Sequence, residues 1–374
     1  MKVLQITNSF ALDEGGAQRL ALNFHQAFSS QGVESHLLAL THSPTGIAEN
    51  SYSLQLRSPY QKEVLPRLIR FLRQPRWRDL DIIHVHLFPA QTLVALALKI
   101  VGLRAKLVTT EHNTYNRRRK LRIGPVPVGR LCDVWTYRQY EKIVCISEGT
   151  HKALVEWMPA TATRVATIAN GIDLSLYPPR SVKAQRDKNV ILSLGRISEQ
   201  KNYKTALRAI SLISEYDFEY WIAGRDEMKG KIQALAAELG IEERVRFLGY
   251  RADAPHLLQE ADIFFLPSLW EGFGLVAAEA MASGLPIVAS DVDGLREVLD
   301  TKQSDDTQLT EVCAAFLVNP SSAEEMAKRL TQLLDDVALR QAMGKVARSH
   351  SQHYDLQRTY ESYLRLYICI RGGR

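Results

Sequence analysis

The chain has 374 residues, 46% hydrophobic and 24% charged, enough for two or three domains with packed cores. That balance excludes a wholly disordered chain. Four scattered cysteines (Cys132, Cys145, Cys313, Cys369) with no Cys-x-x-Cys pair exclude a disulfide scaffold and argue for a reducing compartment and against structural zinc. The formal charge of +6 is unevenly placed: residues 1–180 hold 23 Lys and Arg against 13 Asp and Glu, residues 181–374 hold 24 against 28. The basic first half is expected to meet something anionic, whether nucleic acid, a membrane surface or a phosphorylated substrate.

Met1 leads straight into the apolar VLQIT, which reads as a buried strand and not as a signal peptide. The longest apolar stretch, Ala90 to Leu103, is interrupted by Gln91, Thr92 and Lys99. It is too short to span a bilayer and reads as a core helix. After the first strand, Gly15-Gly16 precedes a helix over Ala17 to Ser30, and strands follow at HLLAL, DIIHVH, KLVTTEH and KIVCIS. Each is apolar and β-branched and ends in polar residues, the pattern of a parallel sheet built from βαβ units. Such sheets bind ligands beyond their carboxyl ends, where Thr7, Asn8, His84, His86, Glu111, His112, Asn113 and Ser147 fall.

After the short strand RVATIA, a Pro-, Gly- and charge-rich stretch over roughly 172–188 reads as a linker. The same grammar then restarts: strands at NVILSLGRI, EYWIAG, VRFLGY, DIFFLPS, LPIVAS and AAFLV, with helices over Tyr203 to Ile213, Met228 to Leu239, His256 to Glu260 and Phe273 to Ala282. From Ser322 the pattern is helical, and Leu356 to Ile370 is rich in Tyr and Leu. The expected architecture is α/β, with two Rossmann-like doubly wound domains facing a central cleft. The expected division is 1–175, 176–354, and a C-terminal helix over 355–374 that packs back toward the first domain.

The most informative stretch is LPSLWEGFGLVAAEAMASGLPIVASDVDGLRE at 266–297. The turn Glu271-Gly272-Phe273-Gly274 opens a helix and exposes backbone N–H groups suited to phosphate. If the helix ran through both Glu271 and Glu279, they would stand about 12 Å and about 80° apart. That is too far for an acid–base pair on one glycosidic bond. It suits two carboxylates gripping distant hydroxyl-bearing rings with a diphosphate between them.

This stretch resembles the Glu–seven–Glu motif of retaining glycosyltransferases of family 4, which have the two-domain GT-B fold. The resemblance runs the length of the chain: Gly15-Gly16, EHN at 111–113, CISE at 145–148, NGID at 170–173, LGRISEQKN at 194–202, FLG at 247–249 and EGFGLVAAEAMASGLPIVAS at 271–290. It implies transfer of a sugar from a nucleotide diphosphate sugar, UDP preferred to GDP, to a glycan or lipid-linked acceptor in cell-surface polysaccharide synthesis. Arg196 and Lys201 would hold the diphosphate and stabilise charge growing on the leaving phosphate. Glu279 would bind the ribose and Glu271 the transferred sugar, with amides around Phe273, Gly274 and Leu275 meeting phosphate and sugar. Gly16 would admit close approach of the donor, the base would lie near Gly249, Tyr250 and Arg251, and His112 would stand beside the transferred sugar. The catalytic set implied is thus His112, Glu271, Arg196 and Lys201. The segment Asp293 to Glu297 departs from the family pattern and reads as a loop.

No cofactor or metal is expected. His84 and His86 can share one face of a strand but lack other ligands in motif spacing. No GxSxG elbow marks a hydrolase, and no full GxGxxG follows Gly15-Gly16. On the acceptor side, RLIRFLRQPRWR at 67–78 reads as an amphipathic helix up to Pro75, with Leu68, Phe71 and Leu72 on one face and Arg67, Arg70 and Arg73 on the other. Such a helix can lie on an anionic membrane. NRRRKLR at 116–122, with Asn113, Arg117 and Arg118, would contact the phosphates of the acceptor. The expected location is cytoplasmic, with peripheral association at the inner membrane. A nucleotide-sugar epimerase on the same fold is the alternative enzyme. A nucleic-acid-binding protein is the alternative outside enzymes, although no recognised module or aromatic-interleaved basic groove supports it.

Overall fold

The computed structural model describes residues 1–10, 16–42, 48–112, 128–178, 188–299 and 313–372. It divides into two compact units, Met1–Ala169 with Arg358–Arg374, and Asn170–Gln357.

In the first unit, strands and helices alternate: β1 (Lys2–Thr7), α1 (Gly16–Ser30), β2 (Glu34–Thr41), β3 (Ser51–Leu56), α2 (Val64–Leu72), β4 (Ile82–His86), α3 (Ala90–Val101), β5 (Lys106–Glu111), α4 (Val128–Arg138), β6 (Lys142–Cys145), α5 (Glu148–Trp157) and β7 (Val165–Thr167). The seven strands form one sheet in the order β3-β2-β1-β4-β5-β6-β7, with every pairing parallel. The order reverses between β1 and β4, which makes their carboxyl ends the crevice where such a sheet takes ligands. One face of the sheet contributes Leu4, Ile6, Ile83, Val85 and Leu107 to an apolar core shared with α2 and α3. The edge strand β3, absent from the expected strands, alternates polar and apolar residues (SYSLQL) as a half-buried strand does.

The helix expected within 67–78 forms as α2, but its apolar stripe is not available to a bilayer. Val64, Leu68, Phe71 and Leu72 are buried in the same core as β1 and β4. At about 1.5–3 kcal/mol for each side chain, that burial outweighs what surface insertion would return. Arg67, Arg70, Arg73, Arg76 and Arg78 remain exposed.

The second unit repeats the grammar: β8 (Asn189–Leu194), α6 (Tyr203–Ser211), β9 (Phe218–Ala223), α7 (Lys231–Glu238), β10 (Val245–Gly249), α8 (Ala254–Glu260), β11 (Ile263–Leu266), α9 (Leu275–Ala282), β12 (Ile287–Ser290), α10 (Asp293–Leu299), β13 (Ala315–Val318), α11 (Ala323–Asp335) and α12 (Val337–Ser351). Its sheet is parallel in the order β10-β9-β8-β11-β12-β13, so the switch point lies between β8 and β11. The last helix, α13 (Leu356–Gly372), belongs from Arg358 onward to the first unit. There Tyr360, Tyr363 and Tyr367 are buried, with the Tyr363 ring 4.5 Å from that of Phe24 on α1.

The segment expected to be a loop, Asp293 to Glu297, is instead the start of α10. The Val292 carbonyl accepts from the amides of both Leu295 and Arg296, and Arg296 pairs with Asp291 and Asp293. A Cβ on Gly294 would stand 2.4 Å from the Glu271 carbonyl oxygen. Only a residue without a side chain lets this helix seat against the turn that carries Glu271.

Candidate active site

The residues singled out in the second unit gather around the carboxyl ends of β8 and β11. Past β8 the chain passes Gly195, Arg196 and Ile197 and enters a short 3-10 turn, Glu199–Lys201. Asn202, in the left-handed region, ties this turn to its neighbours, its side-chain amide donating to the carbonyls of Pro267 (3.0 Å) and Pro320 (2.8 Å). The Leu269 amide donates to the Gln200 carbonyl, and the Gln200 side chain donates to the Trp270 carbonyl. The two loops are therefore stitched together by backbone and amide bonds, and the side chains they carry are held in register.

That register brings Lys201 Nζ to 2.7 Å from Glu271 Oε1, with only 13% and 10% of the two side chains exposed. The Ser268 hydroxyl donates to the same oxygen at 2.8 Å. A charge-assisted bond in so enclosed a place is strong and directional. Arg196 is held apart from this pair: its guanidinium reaches Glu227 Oε1 at 2.9 Å and is 42% exposed. The loop carrying Glu227 is anchored in turn, because Ile197 and Asp226 form a parallel bridge and Asp226 accepts from the amides of Met228 and Gly230.

Glu271 does not lie on the helix. α9 begins at Leu275, with Gly274 before it in the left-handed region (φ 82°), a conformation that costs glycine least. The 12 Å and 80° relation therefore does not apply: Glu271 projects from the turn, while Glu279 sits buried within α9. Phe273 is also buried, its ring edge-on to Tyr354 at 5.4 Å, and so buttresses the turn. Leu275 is half-buried at the helix start. Gly249 and Tyr250 are exposed at the end of β10, and the Gly249 carbonyl accepts from the Gly224 amide at 2.7 Å. Arg251 pairs with Asp253.

In the first unit, Gly16 begins α1. His112 follows β5 directly and is buried, with Nε2 3.2 Å from His86 Nδ1. Burial pushes the His112 imidazole down to about 4. Burial and the neighbouring rings hold His84 and His86 well below the usual imidazole range. All three are neutral near pH 7, so His112 is poised to exchange a hydrogen bond and not to carry charge. Glu111, one residue earlier, points to the opposite face and accepts from the Tyr137 hydroxyl. Asn113, Arg117 and Arg118 lie outside the described residues. Among the described residues, no group of three or more His, Cys, Asp or Glu could hold a metal ion, and no helix is long and apolar enough to cross a membrane.

The sequence did not single out Ser268, Glu227, Gln200 or Asn202. A Ser three residues before Glu271, on the strand-end turn, is the one local signal. Gln200 and Asn202 lie within the LGRISEQKN stretch of the resemblance without an assigned role, and Glu227, acting on a partner on another loop, carries no local signal.

Two family models match the chain, Glycosyltransferase Family 4 over residues 14–176 and Glycosyl transferases group 1 over residues 179–350. A D-inositol 3-phosphate glycosyltransferase of Corynebacterium aurimucosum is 28% identical, over 91% of this chain and 88% of the relative. The UDP-Gal:alpha-D-GlcNAc-diphosphoundecaprenol alpha-1,3-galactosyltransferase of Escherichia coli is 23% identical, over 73% of this chain and 70% of its own. In fold, the chain matches the Anabaena protein HepE, solved in complex with UDP-glucose, at a TM-score of 0.80 and 18% identity, over 99% of this chain and all of that one. With matched models along both units and doubly wound parallel sheets in each, the chain belongs to the group 1, family 4 glycosyltransferases and is a transferase enzyme.

Proposed function

We propose that this enzyme transfers a sugar, with retention of configuration, from a nucleotide diphosphate sugar to a glycan or lipid-linked acceptor, with UDP preferred to GDP. The observation that carries the reading is the enclosed Lys201–Glu271 ion pair at the switch point of the second sheet, beside the turn that opens α9. A donor presents what this arrangement lacks, a dianionic diphosphate for the cations and a polyhydroxyl ring for the carboxylate. On binding, Lys201 and Arg196 exchange their carboxylate partners, Glu271 and Glu227, for phosphate oxygens. Glu271 is then free to accept from sugar hydroxyls. The turn amides at Phe273, Gly274 and Leu275 add N–H donors at the helix start, and Glu279 takes the ribose hydroxyls.

As the glycosidic bond breaks, negative charge grows on the leaving phosphate. Two cations, Lys201 enclosed and Arg196 partly exposed, stabilise that charge more than they stabilise the bound donor, which is the condition for rate acceleration. Gly16 admits the donor to the first unit, Gly249 and Tyr250 flank the base, and His112 contacts the transferred sugar. With no nucleophile assigned on the face where the acceptor attacks, the departing phosphate takes the acceptor's proton on that same face. No metal is needed in this scheme. Asn113, Arg117 and Arg118 contact acceptor phosphates.

The preference for UDP and for a lipid-linked acceptor draws on the names and ligand of the relatives, a UDP-Gal transferase acting on a diphosphoundecaprenol sugar and a fold neighbour holding UDP-glucose. Cell-surface glycan assembly at the cytoplasmic face of the inner membrane fits that chemistry. The exposed arginines of residues 67–78 would hold the enzyme there by charge alone, since the apolar stripe of α2 is committed to the core.

The test is thermal stabilisation by UDP and GDP, each with and without EDTA, followed by turnover with the matching nucleotide sugars. A diphosphate at 100 times its dissociation constant adds about 2.7 kcal/mol. Stabilisation by UDP that EDTA leaves intact is the expected outcome. Dependence on a divalent ion, or an inverted product anomer, would overturn the corresponding part of the reading.

A further inference from the structure

Beneath His112 the first unit holds a buried polar run that the transfer scheme does not use. Strand register sets Gln5 beside His84, and His86 beside Thr110. The two-residue period of strands then puts Gln5, His84, His86 and Thr110 on one face. α13 covers that face with Tyr363 and Tyr367, four residues apart and so on one side of the helix.

The side chains form one unbroken chain. Thr110 Oγ1 lies 3.0 Å from the Tyr363 hydroxyl and 2.7 Å from His84 Nε2. His84 Nδ1 lies 2.5 Å from the Tyr367 hydroxyl, to which Gln5 Nε2 donates at 3.2 Å. Gln5 Oε1 lies 2.9 Å from His86 Nε2, and His86 Nδ1 lies 3.2 Å from His112 Nε2. Gln5, His84, His86, Thr110, Tyr363 and Tyr367 are all essentially inaccessible to water, so no solvent molecule competes for these bonds.

The Gln5 amide is the one group here whose two ends differ in kind, and it sets the direction of every bond. Its oxygen can only accept, so His86 Nε2 carries the proton. A neutral imidazole has one proton, which leaves His86 Nδ1 as a bare acceptor. His112 Nε2 must then be the donor, and His112 Nδ1 is bare. At the other end, the Gln5 amide N–H occupies a lone pair of Tyr367, whose own proton goes to His84 Nδ1. His84 Nε2–H then donates to Thr110. One set of proton positions satisfies the whole chain, and turning the amide over would reverse each histidine along it.

We infer that Gln5, held by Tyr367 of the C-terminal helix, is a positioning residue that fixes His112 as its Nε2–H tautomer and leaves Nδ1 as a hydrogen-bond acceptor. The role assigned to that acceptor rests on the proposed function: it takes a hydrogen bond from a hydroxyl of the transferred sugar. In this state His112 has no proton at Nδ1 to offer a leaving phosphate, which leaves that charge to Arg196 and Lys201. The C-terminal helix thereby acts on the reaction through Gln5, His86 and His112 without touching substrate.

The tautomer is read directly, on the free enzyme, by 15N resonances of histidine-labelled protein, with His112 assigned by comparison with His112→Gln. The expected spectrum shows a protonated Nε2 and a bare Nδ1 at pH 7.5. Tyr367→Phe removes one hydroxyl and releases the amide, so His112 should become a mixture of tautomers, with kcat lowered about five-fold, the equivalent of one net hydrogen bond of about 1 kcal/mol, and donor KM little changed. Gln5→Met keeps the volume and removes both polar ends, so it should give the same mixture of tautomers as Tyr367→Phe, which separates positioning from mere packing. A protonated Nδ1 in the wild-type enzyme, or a His112 spectrum unaltered by Tyr367→Phe, would overturn the inference. A changed tautomer with unchanged turnover would uphold it and overturn the placement of His112 at the transferred sugar.

Discussion

Acid should destabilise the first unit through the buried imidazoles of His84, His86 and His112, with the buried His25 depressed in the same sense. His84, His86 and His112 are neutral in the folded protein because burial penalises their charged forms, with His112 held at about 4. In the unfolded chain each titrates near 6.5. The folded values are depressed, so the unfolded state takes up protons first as pH falls. The stability these rings contribute is whole above about 6.5 and is lost on descending toward the folded values. For His112 the loss reaches about 2 kcal/mol at pH 5, already a large share of the usual 5–15 kcal/mol of a domain, and His84 and His86 add to it in the same direction. Urea unfolding followed by far-UV circular dichroism at half-unit steps from pH 7.5 to 5 measures this. Stability should fall as pH drops below about 6.5, with His112 alone contributing a slope that approaches one proton, or about 1.4 kcal/mol per pH unit. His112→Asn should remove about one proton from the slope. A first-unit transition that stays level across that range, or a slope unaffected by His112→Asn, would refute the reasoning.

The Lys201–Glu271 pair gives a double-mutant cycle. Lys201→Ala or Glu271→Ala alone should destabilise by about 3 kcal/mol by leaving its partner enclosed and unpaired, and the double variant by less than the sum. All three should lose transfer activity. Gly294→Ala places a Cβ 2.4 Å from the Glu271 carbonyl. It should cost about 1–3 kcal/mol and lower kcat by displacing the site turn, measured by melting and by initial rates. Binding to anionic vesicles should be lost at high salt and weakened by R70E/R73E, two exposed arginines of the 67–78 segment. Flotation unaffected by both would refute an electrostatic attachment.

The second-unit site was the more legible half because its chemistry is written in one stretch. Residues 266–297 carry the strand end, the glycine turn, Glu271 and Glu279 within a few turns of chain. What escaped was pairing across loops. Lys201 and Glu271 are 70 residues apart, and nothing in either neighbourhood says that they meet. Asn202 and Gln200, which make them meet, read as ordinary turn residues. The start of α9 was misjudged for a local reason: alanine-rich sequence after Phe273 favours helix, but Gly274 in the left-handed region delays it to Leu275. Conversely, segment 293–297 read as a loop from its departure from the family pattern but forms the start of α10, where the missing Cβ of Gly294 lets the helix lie against the Glu271 carbonyl.

The first unit shows the opposite limit. Alternation in DIIHVH correctly puts His84 and His86 on one face, where they stand 4.1 Å apart by ring centroid. Yet the strand pattern says only that the two histidines share a face, with no further ligands in motif spacing, and what they do depends on what faces them. The answer comes from Gln5, about 80 residues earlier, and from Tyr367, 283 residues later. Each ring nitrogen has a hydrogen-bond partner there, Tyr367 and Thr110 for His84, and Gln5 and His112 for His86. The Tyr-rich tail has the same explanation: Tyr363 and Tyr367 supply apolar rings to Phe24 and Phe28 and hydroxyls to Thr110 and His84. Leucine at either position would fill the volume and strand a buried polar partner, which costs about 1–3 kcal/mol. The tail is therefore aromatic because the face it covers is polar, and that face is polar because it carries the support of His112.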